Sequence, residues 1–164
     1  MGIKGNDNFP FSTIKEDVGI KTEGIKYAGS KLKLLPHIID LASELKNVNT
    51  VLDGFSGSTR VSQAFAQKGF SVTSNDISAW SQVFASCYLL AHKSNKYSQE
   101  IIDYLNSIEG KTAWFSENYG GEDTDVKKPF QLKNTRKLDA IRDEIEKLNL
   151  VWEDKCVLLT SLIL

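Results

Sequence analysis

Three observations predict an α/β fold, with an incomplete parallel sheet flanked by helices. Two short β-rich runs, at 51–53 and 70–74, each reach an acid at or just past their carboxyl ends. Amphipathic helical patterns alternate with these runs, as in parallel α/β sheets. Between them lies Gly54-Phe55-Ser56-Gly57-Ser58-Thr59, after which a helical pattern resumes. Strand, glycine-bearing loop and helix in that order open a Rossmann-like sheet, where ligands sit at the carboxyl ends of the strands.

Residues 1–22 are rich in Gly, Asn, Lys and Asp without a sustained period, and read as a flexible lead-in. A first helix is predicted over 33–46, with Leu34, Ile38, Leu41 and Leu45 on one face and Pro36 in its first turn. Val61, Ala64 and Phe65 line a second helix that Gly69 ends. A third, over 78–91, groups Val83, Cys87 and Leu90, and a fourth covers 98–108. Asn134 can cap a helix carrying Leu138, Ile141, Ile145 and Leu148. The segment 151–164 reads as an uncapped apolar helix.

The acids indicate the ligand class. Loops that cradle phosphate use backbone N–H groups and avoid a carboxylate beside the anion. Neither G-x-G-x-x-G nor G-x-x-x-x-G-K-[ST] occurs here. Asp53 at a strand end suits a ligand with positive charge and hydroxyls but no phosphate. S-adenosyl-L-methionine, with its ammonium, sulfonium and ribose, meets that description. Asp76 follows the second run where a Rossmann-type site accepts hydrogen bonds from ribose hydroxyls.

Upstream stands Lys26-Tyr27-Ala28-Gly29-Ser30-Lys31, then Leu34-Leu35-Pro36, a helix and D-x-F-x-G. This arrangement resembles the Dam-like (alpha-type) DNA adenine-N6 methyltransferases, in their amino-terminal part, from about Glu23 onward. Further matching stretches are Ser58-Thr59-Arg60-Val61, Asn118-Tyr119-Gly120-Gly121 and Asn134-Thr135-Arg136-Lys137. The resemblance implies a Rossmann-like methyltransferase fold and S-adenosylmethionine as cofactor. It places Tyr27 and Lys31 on an arm that completes the methyl-donor pocket, Asp53, Phe55 and Gly57 in the strand-end motif, and Asp76 on the ribose. Gly54 replaces the proline common after the acid, and Ser58-Thr59 stands where many members have a second glycine.

The resemblance divides the chain into a methyl-donor part over 23–111, a helical insertion over 112–150 that begins target recognition, and the helix 151–164 preceding a catalytic strand. Asn118, Tyr119, Lys133 and Arg136 are the DNA-contact candidates. The family's catalytic tetrapeptide, Asp-Pro-Pro-Tyr, occurs nowhere among these residues; the three prolines, Pro10, Pro36 and Pro129, are isolated. The expectation is therefore a fragment of a site-specific, restriction-modification type enzyme acting on double-stranded DNA, inactive alone. One alternative is a non-catalytic subunit of a split methyltransferase, paired with a complementary chain carrying the tetrapeptide; another is an unrelated Rossmann-type nucleotide-binding domain.

Twenty basic against twenty-one acidic residues leave a net charge of −1, without the basic stripe of an autonomous DNA binder. Two distant cysteines, Cys87 and Cys156, read as reduced buried thiols. His37 and His92 lack metal-ligand spacing, so no metal is expected. A polar start without a long apolar run predicts no membrane span and a cytoplasmic location.

Overall fold

The computed structural model describes residues 20–25, 29–91, 98–122 and 128–164. The chain divides into two compact units, Met1–Leu89 and Leu90–Leu164.

In the first unit a 3₁₀ turn, Leu32–Leu34, leads into α1, Leu35–Ser43, with Pro36 in its first turn, where a missing N–H costs no helical bond. Leu35 and Ile39 are buried, and Ile38 and Ala42 pack on the same core. Leu34, Leu41 and Leu45 are exposed, so the predicted stripe is corrected by a rotation of the helix. The opening 3₁₀ turn advances the chain by three residues per turn and so resets the helical phase.

Strands β1, Thr50–Asp53, and β2, Ser71–Ser74, pair in parallel, with Val51 opposite Val72 and Asp53 opposite Ser74. Val51 and Val72 face the core formed by Leu35, Ile39, Ala64 and Phe65. Strand alternation turns Leu52 the other way, and it is 70% exposed. Helix α2, Arg60–Gln67, connects the strands. Gly69, at φ 89°, ends it as expected. The Phe70 N–H donates to the Phe65 carbonyl at 3.1 Å and the Gly69 N–H to that of Ala66 at 3.0 Å. These bonds make a Schellman cap, and the Phe65 and Phe70 rings meet edge-on at 5.3 Å as its apolar closure.

Helix α3, Ala79–Ala85, continues as a π-helical turn, Ser86–Leu90. Phe84 is wholly buried, with the Trp80 and Tyr88 rings at 5.3 and 6.1 Å. Leu90 is exposed, unlike the predicted face, because the wider π turn shifts the phase after Ala85.

The second unit holds α4 (Ser98–Ser107), α5 (Trp114–Tyr119), β3 (Gly120–Gly121), β4 (Phe130–Gln131), α6 (Leu132–Lys147) and α7 (Trp152–Ile163). Strands β3 and β4 form a second small parallel ladder. Leu105, Ile145 and Leu158, one from each of α4, α6 and α7, make its core, with Ile101, Ile141, Leu148 and Leu162 packed around them. The apolar helix α7 thus buries Leu158 against α4 and α6. Gln131, rather than Asn134, is the N-cap of α6; Asn134 lies exposed in the first turn.

Helices therefore flank two separate two-stranded parallel ladders. The α/β class holds, at the level of small parallel sheets.

Gly120 joins α5 to the second ladder. A Cβ there would lie 2.2 Å from Thr135 Oγ1 and 2.8 Å from the Ser116 carbonyl oxygen. Because one obstacle is backbone, Gly120→Ala is expected to destabilise this unit by about 1–3 kcal/mol. Equilibrium urea unfolding measures it, and an unchanged midpoint would refute the close approach.

Candidate methyl-donor site at the strand tips

The carboxyl ends of β1 and β2 gather three of the predicted residues. Asp53 closes β1, and its carbonyl accepts the Asn75 N–H at 2.9 Å, which carries the strand pairing one step beyond β2. Asp76 follows at once. Its Oδ2 accepts the Gly57 N–H at 2.9 Å, and its Oδ1 accepts the Ser78 N–H at 2.9 Å. Gly57, at φ 49°, turns its amide toward that carboxylate. The Gly57 amide, then that of Ser78, stabilises the ionised form and holds the Asp76 carboxyl below the ordinary aspartate range.

Asp53 is tied inward. Its Oδ2 accepts the Ser62 hydroxyl at 2.7 Å, and Ser74 Oγ lies 3.2 Å from that hydroxyl. Ser62 is fully buried on α2, so one oxygen of Asp53 fastens the strand tip to the helix. Phe55 projects from the loop at 86% exposure, and Ile77, immediately after Asp76, is fully exposed. A side chain built on Gly54 would meet no atom within 4 Å, so the space over the strand tip is open.

The loop ends at Thr59, a buried β-branched residue at φ 62°. That conformation is strained for threonine, and such strain persists only where neighbours over-determine it. The neighbours are the Ser56 carbonyl, which accepts the Thr59 N–H at 2.7 Å, and Gln63 Nε2, which donates to Thr59 Oγ1 at 3.1 Å.

Lys31 is exposed at the N-cap of the 3₁₀ turn, where its carbonyl accepts the Leu34 N–H at 2.8 Å. Tyr27 lies outside the described residues, as do His92 and Lys127. Within the expected lead-in, Ile20 packs on the first core, and the carbonyls of Lys21 and Thr22 accept bonds from Gln67 and Arg60. The stretch 20–22 is therefore held in place.

The sequence reading missed Arg60, Gln63 and Ile77. Arg60, Gln63 and Gln67 recur at i, i+3 and i+7 on α2, the one available signal that this helix has a second contact face.

The DNA-contact candidates fall on α5 and α6, which pack together. Asn118 Nδ2 donates to the Trp114 carbonyl at 2.7 Å, and Arg136 Nε donates to Thr112 Oγ1 at 3.0 Å. The Tyr119 ring stands 5.6 Å from Trp114 and 5.1 Å from Phe115. Lys133 is exposed. Other cations of the region have structural partners. Lys128 Nζ donates to the Asn118 carbonyl at 2.8 Å, and Lys137 Nζ to that of Asn106 at 2.8 Å, near the carboxyl ends of α5 and α4.

The short parallel strand pair, with a carboxylate-bearing tip and a glycine turn, belongs to an α/β protein with small parallel sheets. The family described as D12 class N6 adenine-specific DNA methyltransferase matches residues 27–160, and the chain belongs to that family of DNA adenine methyltransferases. Methyltransferases of this family generally use S-adenosylmethionine, and their substrate is DNA. No curated protein and no solved structure matches the chain. Among the described residues no three His, Cys, Asp or Glu side chains gather to hold a metal, and no helix is long and apolar enough to cross a membrane. Cys156 is buried and Cys87 partly so.

Proposed function

We propose that this chain supplies the methyl-donor site of a site-specific adenine-N6 DNA methyltransferase, with the strand tips of β1 and β2 as that site. The observation that carries the reading is the Asp76–Gly57 bond. In a phosphate-cradling loop a turn amide of this kind faces the anion. Here the protein's own carboxylate occupies it, so a phosphate approaching that amide would meet a negative charge. A ligand with a ribose and positive charge meets the opposite situation. Asp76 is assigned to the ribose hydroxyls, because each carboxylate oxygen can accept more than one hydrogen bond. Asp53 places a second negative charge at the strand tip, suited to an ammonium or sulfonium.

Phe55 and Ile77 offer exposed apolar surface near the strand tips for a purine and its linker. Lys31 and Tyr27 are assigned to the arm that closes the pocket. When bound, the methyl donor supplies an electrophilic carbon on sulfur; the chain's own residues bind it, orient it and keep phosphorylated nucleotides out. Asn118, Tyr119, Lys133 and Arg136 are assigned to contact with duplex DNA.

These 164 residues hold no Asp-Pro-Pro-Tyr. The chemistry at the adenine amino group is accordingly assigned to residues outside them, whether on the same polypeptide or on a complementary chain. Acceptors there must draw off amino protons, and an aromatic must stack on the extruded base. The purified 164-residue chain is thus expected to bind S-adenosylhomocysteine yet transfer no tritiated methyl group to mixed-sequence duplex DNA. Incorporation above background would contradict this division of labour.

A further inference from the structure

The polar stripe of α2 holds the segment leading to the arm. Gln63 Oε1 accepts the Glu23 N–H at 2.9 Å, while its Nε2 donates to the Glu23 carbonyl at 3.0 Å. A single side-chain amide thus meets both backbone groups of one residue, as a neighbouring strand would. Arg60 Nη1 donates to the Thr22 carbonyl at 2.6 Å, and Nη2 to that of Gly24 at 2.6 Å. Arg60 is only 8% exposed, so its charge is met by carbonyls that must stay in place. Gly24, at φ 133°, runs so close to the loop that a Cβ would lie 3.3 Å from the Ser58 carbonyl oxygen.

These contacts join the ligand loop. Gln63 Nε2 also reaches Thr59 Oγ1, the Thr59 N–H bonds the Ser56 carbonyl, and the Ser56 N–H donates to the Asn75 carbonyl at 3.0 Å, next to Asp76. Hydrogen bonds and the backbone between them therefore link Glu23 to Asn75, the residue before the aspartate that holds Gly57.

We propose that Arg60 and Gln63 are positioning residues, which lock residues 22–24 onto the strand-tip loop and so hold that loop in its methyl-donor-binding shape. The inference rests on the reading of the strand tips given above. Neither side chain touches the ligand. They act through Thr59, whose strained φ needs outside support, and through the backbone laid over Ser58. Coupling of this kind is reciprocal: what loosens the lock weakens ligand binding, and ligand binding tightens the lock.

The test combines amide hydrogen exchange with calorimetry using S-adenosylhomocysteine as the probe. Gln63→Met keeps the side chain's length and removes both bonds to Glu23 and the bond to Thr59. It is expected to speed exchange of the Glu23 amide and weaken the probe about tenfold. Exchange of the Ser71 amide, which donates to the Asn49 carbonyl in the strand pairing, should stay as in the parent and so exclude general unfolding. Gly24→Ala loosens the lock from the arm side without altering α2, and should weaken the probe similarly. Saturating probe should slow Glu23 exchange in the parent.

Faster Glu23 exchange with undiminished affinity in either variant would overturn the proposal, and so would an unprotected Glu23 amide in the parent. A parent that binds no probe while its Glu23 amide stays protected would overturn the methyl-donor reading, and the coupling with it.

Discussion

Asp76→Ala is expected to lower affinity for S-adenosylhomocysteine on the order of a hundredfold. Two separate losses add up. Alanine removes the acceptors assigned to the ribose, each a charge-assisted bond about twice as strong as a neutral one. It also frees the Gly57 and Ser78 amides, both of which Asp76 now accepts, so the turn that shapes the site relaxes. Asp76→Asn keeps one acceptor oxygen and should lose less, about tenfold. Calorimetric titration separates the two variants from the parent, and equal affinities in all three would remove Asp76 from the site.

The same carboxylate gives the site a pH dependence of known sign. Its folded pKa is depressed, chiefly by the Gly57 amide. The loop contribution is therefore fully present above the unfolded value of 3.8 and is lost as pH falls through the lower folded value. Probe binding should persist at mildly acidic pH and fail only below 3.8, as the depressed folded value is crossed.

Asp139→Ala is expected to destabilise the second unit by about 2–4 kcal/mol, the largest loss from a single side chain there. Asp139 is 1% exposed, and its carboxylate accepts the Ser116 N–H at 2.7 Å and the Phe115 N–H at 3.2 Å. Those amides open α5, which would otherwise begin with unsatisfied donors beside a packed helix. Burial alone would raise the Asp139 carboxyl, but the bonds from Ser116 and Phe115 outweigh it, and the group ends below the ordinary range. Its contribution is thus present above the unfolded value and is lost in acid, as the folded value is crossed. Asp143, bonded to Lys111 and Arg142 and held down to about 2, responds in the same direction. Urea unfolding at neutral pH measures the change. A shift below 1 kcal/mol at unchanged m-value would reject the capping role.

What could be read from the sequence follows from where each signal resides. The strand–loop–helix at 50–67 was legible because its apolar alternation, its glycines and its acid all sit in one short stretch. Gly69 was legible as a helix end because a left-handed cap selects glycine. The face of α1 was not, because leucines at 32, 34 and 35 allow several phases and the 3₁₀ turn selects among them. The hold on residues 20–24 was invisible for a different reason. It is made by side chains of α2 on backbone groups about forty residues away in sequence, and no period or composition encodes such pairing.

At the strand tips the residue types were legible and their obligations were not. The sequence identifies Asp53 and Asp76 as candidate ligand groups, yet each also carries structural bonds, to Ser62 and to the Gly57 and Ser78 amides. Ile77 stayed unmarked because one exposed apolar residue gives no pattern. Asn134 was marked as a cap, but α6 begins two residues earlier.

Calorimetry of the purified chain with S-adenosylhomocysteine, ATP and NAD in parallel tests the strand-tip assignment most directly. Saturable binding of the first, with no detectable heat from the two phosphorylated ligands, is the predicted result. Binding of ATP or NAD with comparable affinity, or no binding of S-adenosylhomocysteine, would contradict it.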